Sequence, residues 1–329
     1  MDLKKREHFR DWIPVRCFWK ENQAFVDWCF VGKERLTKPF FDDSIQMRFR
    51  EPFNLLFRHE TPFEFLGELN EISKGLKPSG FIFHLSRCGS TLVSKTLAAL
   101  EQNIVISEAS PIDFVLRSAN LAEEQKIQWL QWVINALGQK RNEPEANYFI
   151  KFDSWNTLEL RLVKRAFPDV PWIFLYRNPV EIIVSHMRQP GAQSIPGIIS
   201  GILPEMSFER SVQMPREEFC ARVLEKICQS ALDSLKNNEG LAVDYTELPD
   251  SIRTKILGHF NVSVSQEDLE KMFETTKFNA KNPTLNFSAD SEGKKKEASE
   301  AAVRAAEKFV QPVYEELENI RKNAQKKCL

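Results

Sequence analysis

The chain predicts an α/β fold in three layers, a mainly parallel central sheet flanked by helices, preceded by an aromatic-rich N-terminal segment. Three observations carry this expectation. From Gly80 onward, apolar runs of strand length alternate with stretches of helical period. The first of these runs, Gly80–Leu85, passes directly into a small polar loop that opens an apolar helix. Residues 1–76 break the pattern: Trp12, Trp19, Trp28, Phe40, Phe41, Phe53 and Phe57 are punctuated by Pro14, Pro39, Pro52 and Pro62, and no long helical period shows.

In order, residues 1–76 read as a compact irregular segment packed on the remainder (77–329), with Phe25–Val31 as its candidate strand. Strands follow at 80–85, 103–106, 148–152 and 172–176, separated by helices near 91–100, 122–138 and 155–167, the last capped by Asp153 or Ser154. Pro179 suits the first turn of the next helix. Residues 190–214 mix Gly, Pro and Ser without period and read as a loop or lid. A long helix runs from Pro215 to about 238, a fifth strand covers 241–243, and helices cover 250–260 and 265–274. A turn-rich stretch, 279–293, precedes a final helix over 294–323 rich in Lys, Glu and Ala.

Composition narrows the function classes. Of 329 residues, 42% are hydrophobic and 28% charged, the range of a soluble globular enzyme. The 45 basic and 46 acidic residues leave a net charge of -1, which argues against a general nucleic-acid binder. No apolar run reaches the roughly 18 residues of a membrane span, and no apolar leader follows Met1, so a cytoplasmic protein without membrane partners is expected. The six cysteines show no metal-ligand spacing, consistent with a reducing compartment.

Two stretches carry chemistry. In Ser86-Arg87-Cys88-Gly89-Ser90-Thr91-Leu92 a strand, a tight turn and a helix N-terminus meet, so backbone N–H groups and the helix dipole favour an anion. The loop is P-loop-type in placement but not a Walker A sequence. Gly89 is followed by Ser90 and Thr91, with no lysine for the β- and γ-phosphates, and the cation comes two residues earlier as Arg87. In the second stretch the apolar run Trp172–Tyr176 ends in Arg177, and Ser185 lies two turns into the helix that follows. In a parallel sheet, Arg177 then sits at the carboxyl edge, where ligands bind, and an Arg fork with a hydroxyl suits a phosphate.

Together these stretches resemble the sulfotransferase family that uses 3′-phosphoadenosine 5′-phosphosulfate (PAPS). Residues 86–92 look like its 5′-phosphosulfate loop; Phe174-Leu175-Tyr176-Arg177-Asn178-Pro179 with Ser185 looks like its 3′-phosphate motif. Lys151-Phe152, Ala166-Phe167-Pro168-Asp169 and Val243-Asp244-Tyr245-Thr246-Glu247-Leu248 resemble further stretches of bacterial members, so the likeness spans about 78–320. It implies sulfuryl transfer from PAPS to a hydroxyl or amine of a small-molecule or peptide acceptor, with no metal. It implies donor contacts from Arg87, Cys88, Gly89, Ser90, Thr91, Leu92, Arg177 and Ser185. Glu108, after the second strand, would be the general base, with His84 and His186 as rivals and Lys151 near the sulfate. The family's C-terminal loop points to 277–283 or Lys294-Lys295-Lys296 as a further phosphate contact. Cys88 departs from the usual small Ser: it either packs as a Ser-sized residue or makes the loop sensitive to oxidation. A small-molecule kinase using ATP-Mg and a non-catalytic nucleotide-binding scaffold are the competing readings.

Overall fold

The computed structural model describes residues 8–9, 11–199, 201–237, 240–277 and 291–327. Two sheets are present. β1 (Trp12–Lys20), β2 (Gln23–Phe30) and β3 (His59–Pro62) form an antiparallel sheet in the order β1-β2-β3. β4 (Gly80–His84), β5 (Asn103–Ser107), β6 (Asn147–Lys151), β7 (Trp172–Tyr176) and β8 (Gly240–Asp244) form a five-stranded sheet in the order β5-β6-β4-β7-β8, every pair parallel.

The sheet is buried on both faces, so its strands read as nearly continuous apolar runs, with period two showing only in which face each side chain joins. Phe81, Phe83, Tyr148, Ile150, Trp172 and Phe174 enter the apolar core on one face. Ile82, Phe149, Ile173 and Leu175 enter the core on the other. Helices Glu123–Leu137 and Arg216–Leu235 cover the first face, and helix Ser90–Ala98 covers the second. From β4 the chain passes to the edge strand β5, returns to lay β6 between β5 and β4, then crosses to lay down β7 and β8 on the opposite side. The carboxyl end of β4 is therefore the switch point of the sheet, where a crevice opens between diverging connections.

The N-terminal segment is more regular than its sequence suggests. Instead of one candidate strand it holds a hairpin, β1-β2, with β3 added by a crossover through helices Phe41–Arg48 and Pro52–Leu56. Pro14 would ordinarily argue against a strand. Here the register shifts between Pro14 and Arg16, a local irregularity that accommodates it. The tight turn has no glycine; Glu21 takes the left-handed conformation instead, at φ +55°. The aromatic rings are mostly core: Phe63 is fully buried and stacks on Trp129 at 3.9 Å. Arg35 donates to the Ala98 carbonyl at 2.7 Å, at the end of helix Ser90–Ala98.

Other boundaries shift for local reasons. Residues 110–117 form a further helix with Pro111 in its first turn. The expected helix 155–167 begins as a 3-10 turn, Ser154–Glu159, closed by a capping box between Asp153 and Asn156, and continues as Leu160–Ala166. The last helix is broken into Ser291–Lys296, Glu300–Ala305 and Gln311–Lys327, with a wide π turn at Ala306–Val310. Within 190–214 lie a short turn at Ala192–Ser194 and a helix at Phe208–Gln213. No helix among the described residues is long and apolar enough to cross a membrane.

Truncating Phe63 to Ala removes a buried ring that bridges the two sheets' packing. It should cost about 3–5 kcal/mol, read as a lower urea midpoint with an unchanged slope.

Candidate active site

The crevice at the end of β4 is a cleft of about 620 Å³, within the range of small-molecule sites. Its floor is the loop between β4 and helix Ser90–Ala98. Ser86, Arg87 and Gly89 all adopt left-handed backbone, at φ +72°, +52° and +85°. Successive residues turned this way aim N–H groups into a concavity that suits an anion. Gly89 is the N-cap of the helix and brings no side-chain acceptor, so the first-turn N–H groups of Ser90 and Thr91 keep the polarity of an open helix start. At φ +85° any side chain would be strained, and a Cβ there would also press Leu248 Cδ1 at 2.5 Å, so the turn favours glycine. Arg87 arches over the loop and donates to the Gln189 carbonyl at 2.8 Å.

Cys88 faces away from the cleft. It is fully buried, and its Sγ–H donates to the Leu175 carbonyl of β7 at 3.1 Å. Burial pushes its thiol up to about 12, which leaves no thiolate at neutral pH. Of the two sequence expectations, packing as a small residue holds and sensitivity to oxidation does not.

Arg177 follows β7 and lines the same cleft with Ser185, Arg188 and Lys294. It is 4% exposed, and its Nε donates to Glu181 Oε2 at 2.6 Å. Its guanidinium lies 3.9 Å above the Tyr245 ring, and Nη1 reaches the Arg87 carbonyl at 3.4 Å. Lys295 approaches Glu181 Oε1 at 3.6 Å, so the buried carboxylate is shared between two cations. The cluster Lys294-Lys295-Lys296 thus divides. Lys294 is buried on the cleft wall, and Lys295 serves Glu181. Lys277 pairs with Glu274 on the surface, and the rest of the 277–283 run lies outside the described residues.

Glu108 also borders the cleft. It continues β5 in left-handed backbone at φ +58°, its N–H donating to the Lys151 carbonyl of β6 at 2.7 Å. Its Oε1 meets Lys151 Nζ at 2.7 Å and His84 Nε2 at 3.4 Å. Burial works against its charge, but the Lys151 ammonium and His84 outweigh that and hold the carboxyl down at about 2. Lys151 is fully buried beneath Phe40, with Nζ 4.9 Å from the ring, so it stands behind Glu108 and not on the cleft wall. His84 has a fixed tautomer. The Ser86 N–H donates to Nδ1 at 3.0 Å, so Nε2 carries the hydrogen and turns it toward Glu108. Burial lowers its pKa and keeps it neutral. With one nitrogen occupied and the other a donor, His84 has no lone pair to offer as a base. His186 is buried too, its Nδ1 accepting from the Gly191 N–H at 3.1 Å.

Phe40, Asp153, Trp155, Arg188 and Gln193 are among the lining residues that had no functional reading in the sequence. Asp153 had been legible only as a helix cap. Burial, then the neighbouring charges of Glu108 and Asp113, push its carboxyl well above the usual range. Trp155 is held by its indole N–H, which donates to Asp113 at 2.6 Å. Tyr245, in a stretch read as structural, packs under both Arg177 and Gly89.

No protein-family model matches the chain, and no curated protein matches it. Among solved structures, it is similar to the sulfotransferase STF9 from Mycobacterium avium, at 11% identity over 75% of this chain and 80% of that one, TM-score 0.43. It is similar also to a sulfotransferase from Alicyclobacillus acidocaldarius, at 12% identity over 75% and 96%, TM-score 0.42. A retinol dehydratase in complex with retinol and PAP shares 14% identity over 80% and 86%, TM-score 0.33. These are loose likenesses at low identity.

Two outcomes check the geometry. Because Glu108 is depressed below its unfolded value near 4.3, its ion pair stabilises the fold above that pH and is lost as pH falls toward about 2. Glu108→Gln should therefore flatten the acid limb of a stability-versus-pH curve in that window. Cys88 should resist alkylation in the native chain and react only on unfolding; labelling that tracks native exposure would contradict its placement.

Proposed function

We propose that the chain is a sulfotransferase that takes PAPS as donor and passes the sulfuryl group to a hydroxyl or amine acceptor. One observation carries the reading: the left-handed cradle with Arg87, the Arg177 and Ser185 pair, and the carboxylate Glu108 all border one cleft at the switch point of a parallel sheet.

In this reading the N–H groups of residues 87–91 and the Arg87 side chain take the 5′-phosphate, while Arg177, Ser185 and Lys294 take the 3′-phosphate. The sulfur–oxygen bond to the 5′-phosphate breaks as a bond from the acceptor atom to sulfur forms. The acceptor's proton passes to Glu108, and the released phosphate keeps the electron pair. The cradle steadies that leaving charge. Such transfers pass through a loose transition state, so the acceptor needs little activation before sulfur is nearly free. A carboxylate held ionised and aimed by Lys151 and His84 suits this work even though it is a weak base. Phe40, Trp155, Asp153 and Gln193 also line the cleft and are available to an acceptor; Asp153, its carboxyl pushed toward the neutral form, is suited to donate a hydrogen bond there.

Thermal unfolding with added nucleotides tests the donor. PAP (3′-phosphoadenosine 5′-phosphate) at 100 times its Kd should stabilise by about 2.7 kcal/mol, and AMP at the same concentration far less. Protection by ATP-Mg alone would favour the kinase reading and sink this one. Arg177→Ala should erase the preference for PAP over AMP. Glu108→Gln should keep PAP binding and lower transfer by about 100-fold or more. If Glu108→Gln keeps full transfer activity, the assignment of Glu108 as base is wrong. If PAP binds and no acceptor is sulfated, the scaffold reading stands.

A further inference from the structure

A second cavity, about 430 Å³, lies away from the cleft. Its wall includes Arg141, in the connection between helix Glu123–Leu137 and the start of β6. That is the amino edge of the parallel sheet, whereas the cleft opens at the carboxyl edge. The five-residue strands between them span about 16 Å.

Arg141 is unusual for a charged side chain. It is 7% exposed, and its Nε and Nη1 are buried without a hydrogen-bond partner among the described residues. A guanidinium stays charged, so burial cannot be relieved by losing a proton. The opposing charge that Arg141 feels most, Glu145, is already committed. Glu145 accepts from the Arg141 backbone N–H at 2.7 Å and the Asn142 N–H at 3.0 Å, closing its own turn. Asp11 also faces Arg141 across the cavity wall, but among the described residues neither acid forms an ion pair with it.

The rest of the lining suits an amphiphile. Trp12, Trp28 and Ile13 are buried apolar walls, joined by Leu69 and Ala136. Lys74 and Lys140 are exposed at the margin, so three cations border the cavity against the one carboxylate of Asp11. The neutral polar groups are engaged elsewhere. Asn135 bonds the Gly75 N–H and the Ser73 carbonyl, and Gln139 bonds the Ser73 hydroxyl and carbonyl. What remains is cationic charge beside an apolar wall, without the backbone cradle or hydroxyls that a phosphate dianion would call for. We propose that this cavity is a binding site for a small organic carboxylate with an apolar body, its head toward Arg141 and its body along Trp12 and Trp28. The proposal is independent of the chemistry assigned to the cleft.

Titration calorimetry and thermal unfolding of the full chain test it, with octanoate as probe. Octanoate should bind one to one and raise the melting temperature; the neutral octanamide and inorganic phosphate should do neither. Arg141→Met should weaken octanoate by about tenfold or more. Should that variant fold poorly, Lys140→Glu on the exposed rim decides. It should leave the free chain's melting temperature unchanged and weaken octanoate by about three- to tenfold, from the reversal of one nearby charge. Arg177→Ala, in the cleft, should leave octanoate binding as it is. Absence of octanoate binding, equal binding of octanamide, wild-type affinity in Lys140→Glu, or loss of binding in Arg177→Ala would each overturn the proposal.

Discussion

Everything at the cleft depends on the chain turning left-handed between β4 and helix Ser90–Ala98. Ser86 and Arg87 are side-chain-bearing residues in a conformation that costs such a residue about 1–2 kcal/mol. The cost is met locally. The Ser86 N–H finds His84 Nδ1, Cys88 is anchored to the Leu175 carbonyl of the next strand, and Arg87 is tied to the Gln189 carbonyl. Gly89 completes the turn at φ +85°, where a side chain would be strained and would press Leu248. The same bonds that pin the loop also set the chemistry beside it, because the Ser86 N–H fixes the His84 tautomer that faces Glu108.

Charge in the cleft is arranged in two parts. Arg87, Arg177, Arg188 and Lys294 line it from the first turn of helix Ser90–Ala98 to the C-terminal helices, with Glu181 buried among them as a shared counter-charge. Glu108 and Asp153 occupy the side of β5 and β6, one held ionised by Lys151 and the other pushed toward its neutral form. Two carboxyl groups on one wall are thus shifted in opposite directions, Glu108 down by Lys151 and His84 and Asp153 up chiefly by burial. A phosphate-rich ligand matches the first part, and a group losing a proton matches the second.

The central sheet was legible because strands buried on both faces are written as plain apolar runs, from Gly80–His84 through Gly240–Asp244, each bounded by polar turns. The N-terminal sheet was not, because Pro14 interrupts β1 and its hairpin turn uses Glu21 where a glycine would have signalled it. At the cleft, Arg87, Gly89, Arg177, Ser185 and Glu108 could be read from their places at strand ends. Side-chain direction could not. Lys151 stands behind Glu108 and Cys88 faces the core, while Lys294 alone of three adjacent lysines is buried on the cleft wall. Asp153 and Phe40 reach the cleft through tertiary packing that no local pattern encodes.

The account's central claim is that the left-handed loop is a phosphate cradle paired with a second phosphate site at Arg177. A crystal structure of the chain with PAP tests it most directly. The expected complex has the 5′-phosphate against the N–H groups of residues 87–91 and the 3′-phosphate against Arg177 and Ser185. A nucleotide bound with neither phosphate in the loop, or with its 3′-phosphate in solvent, would contradict it.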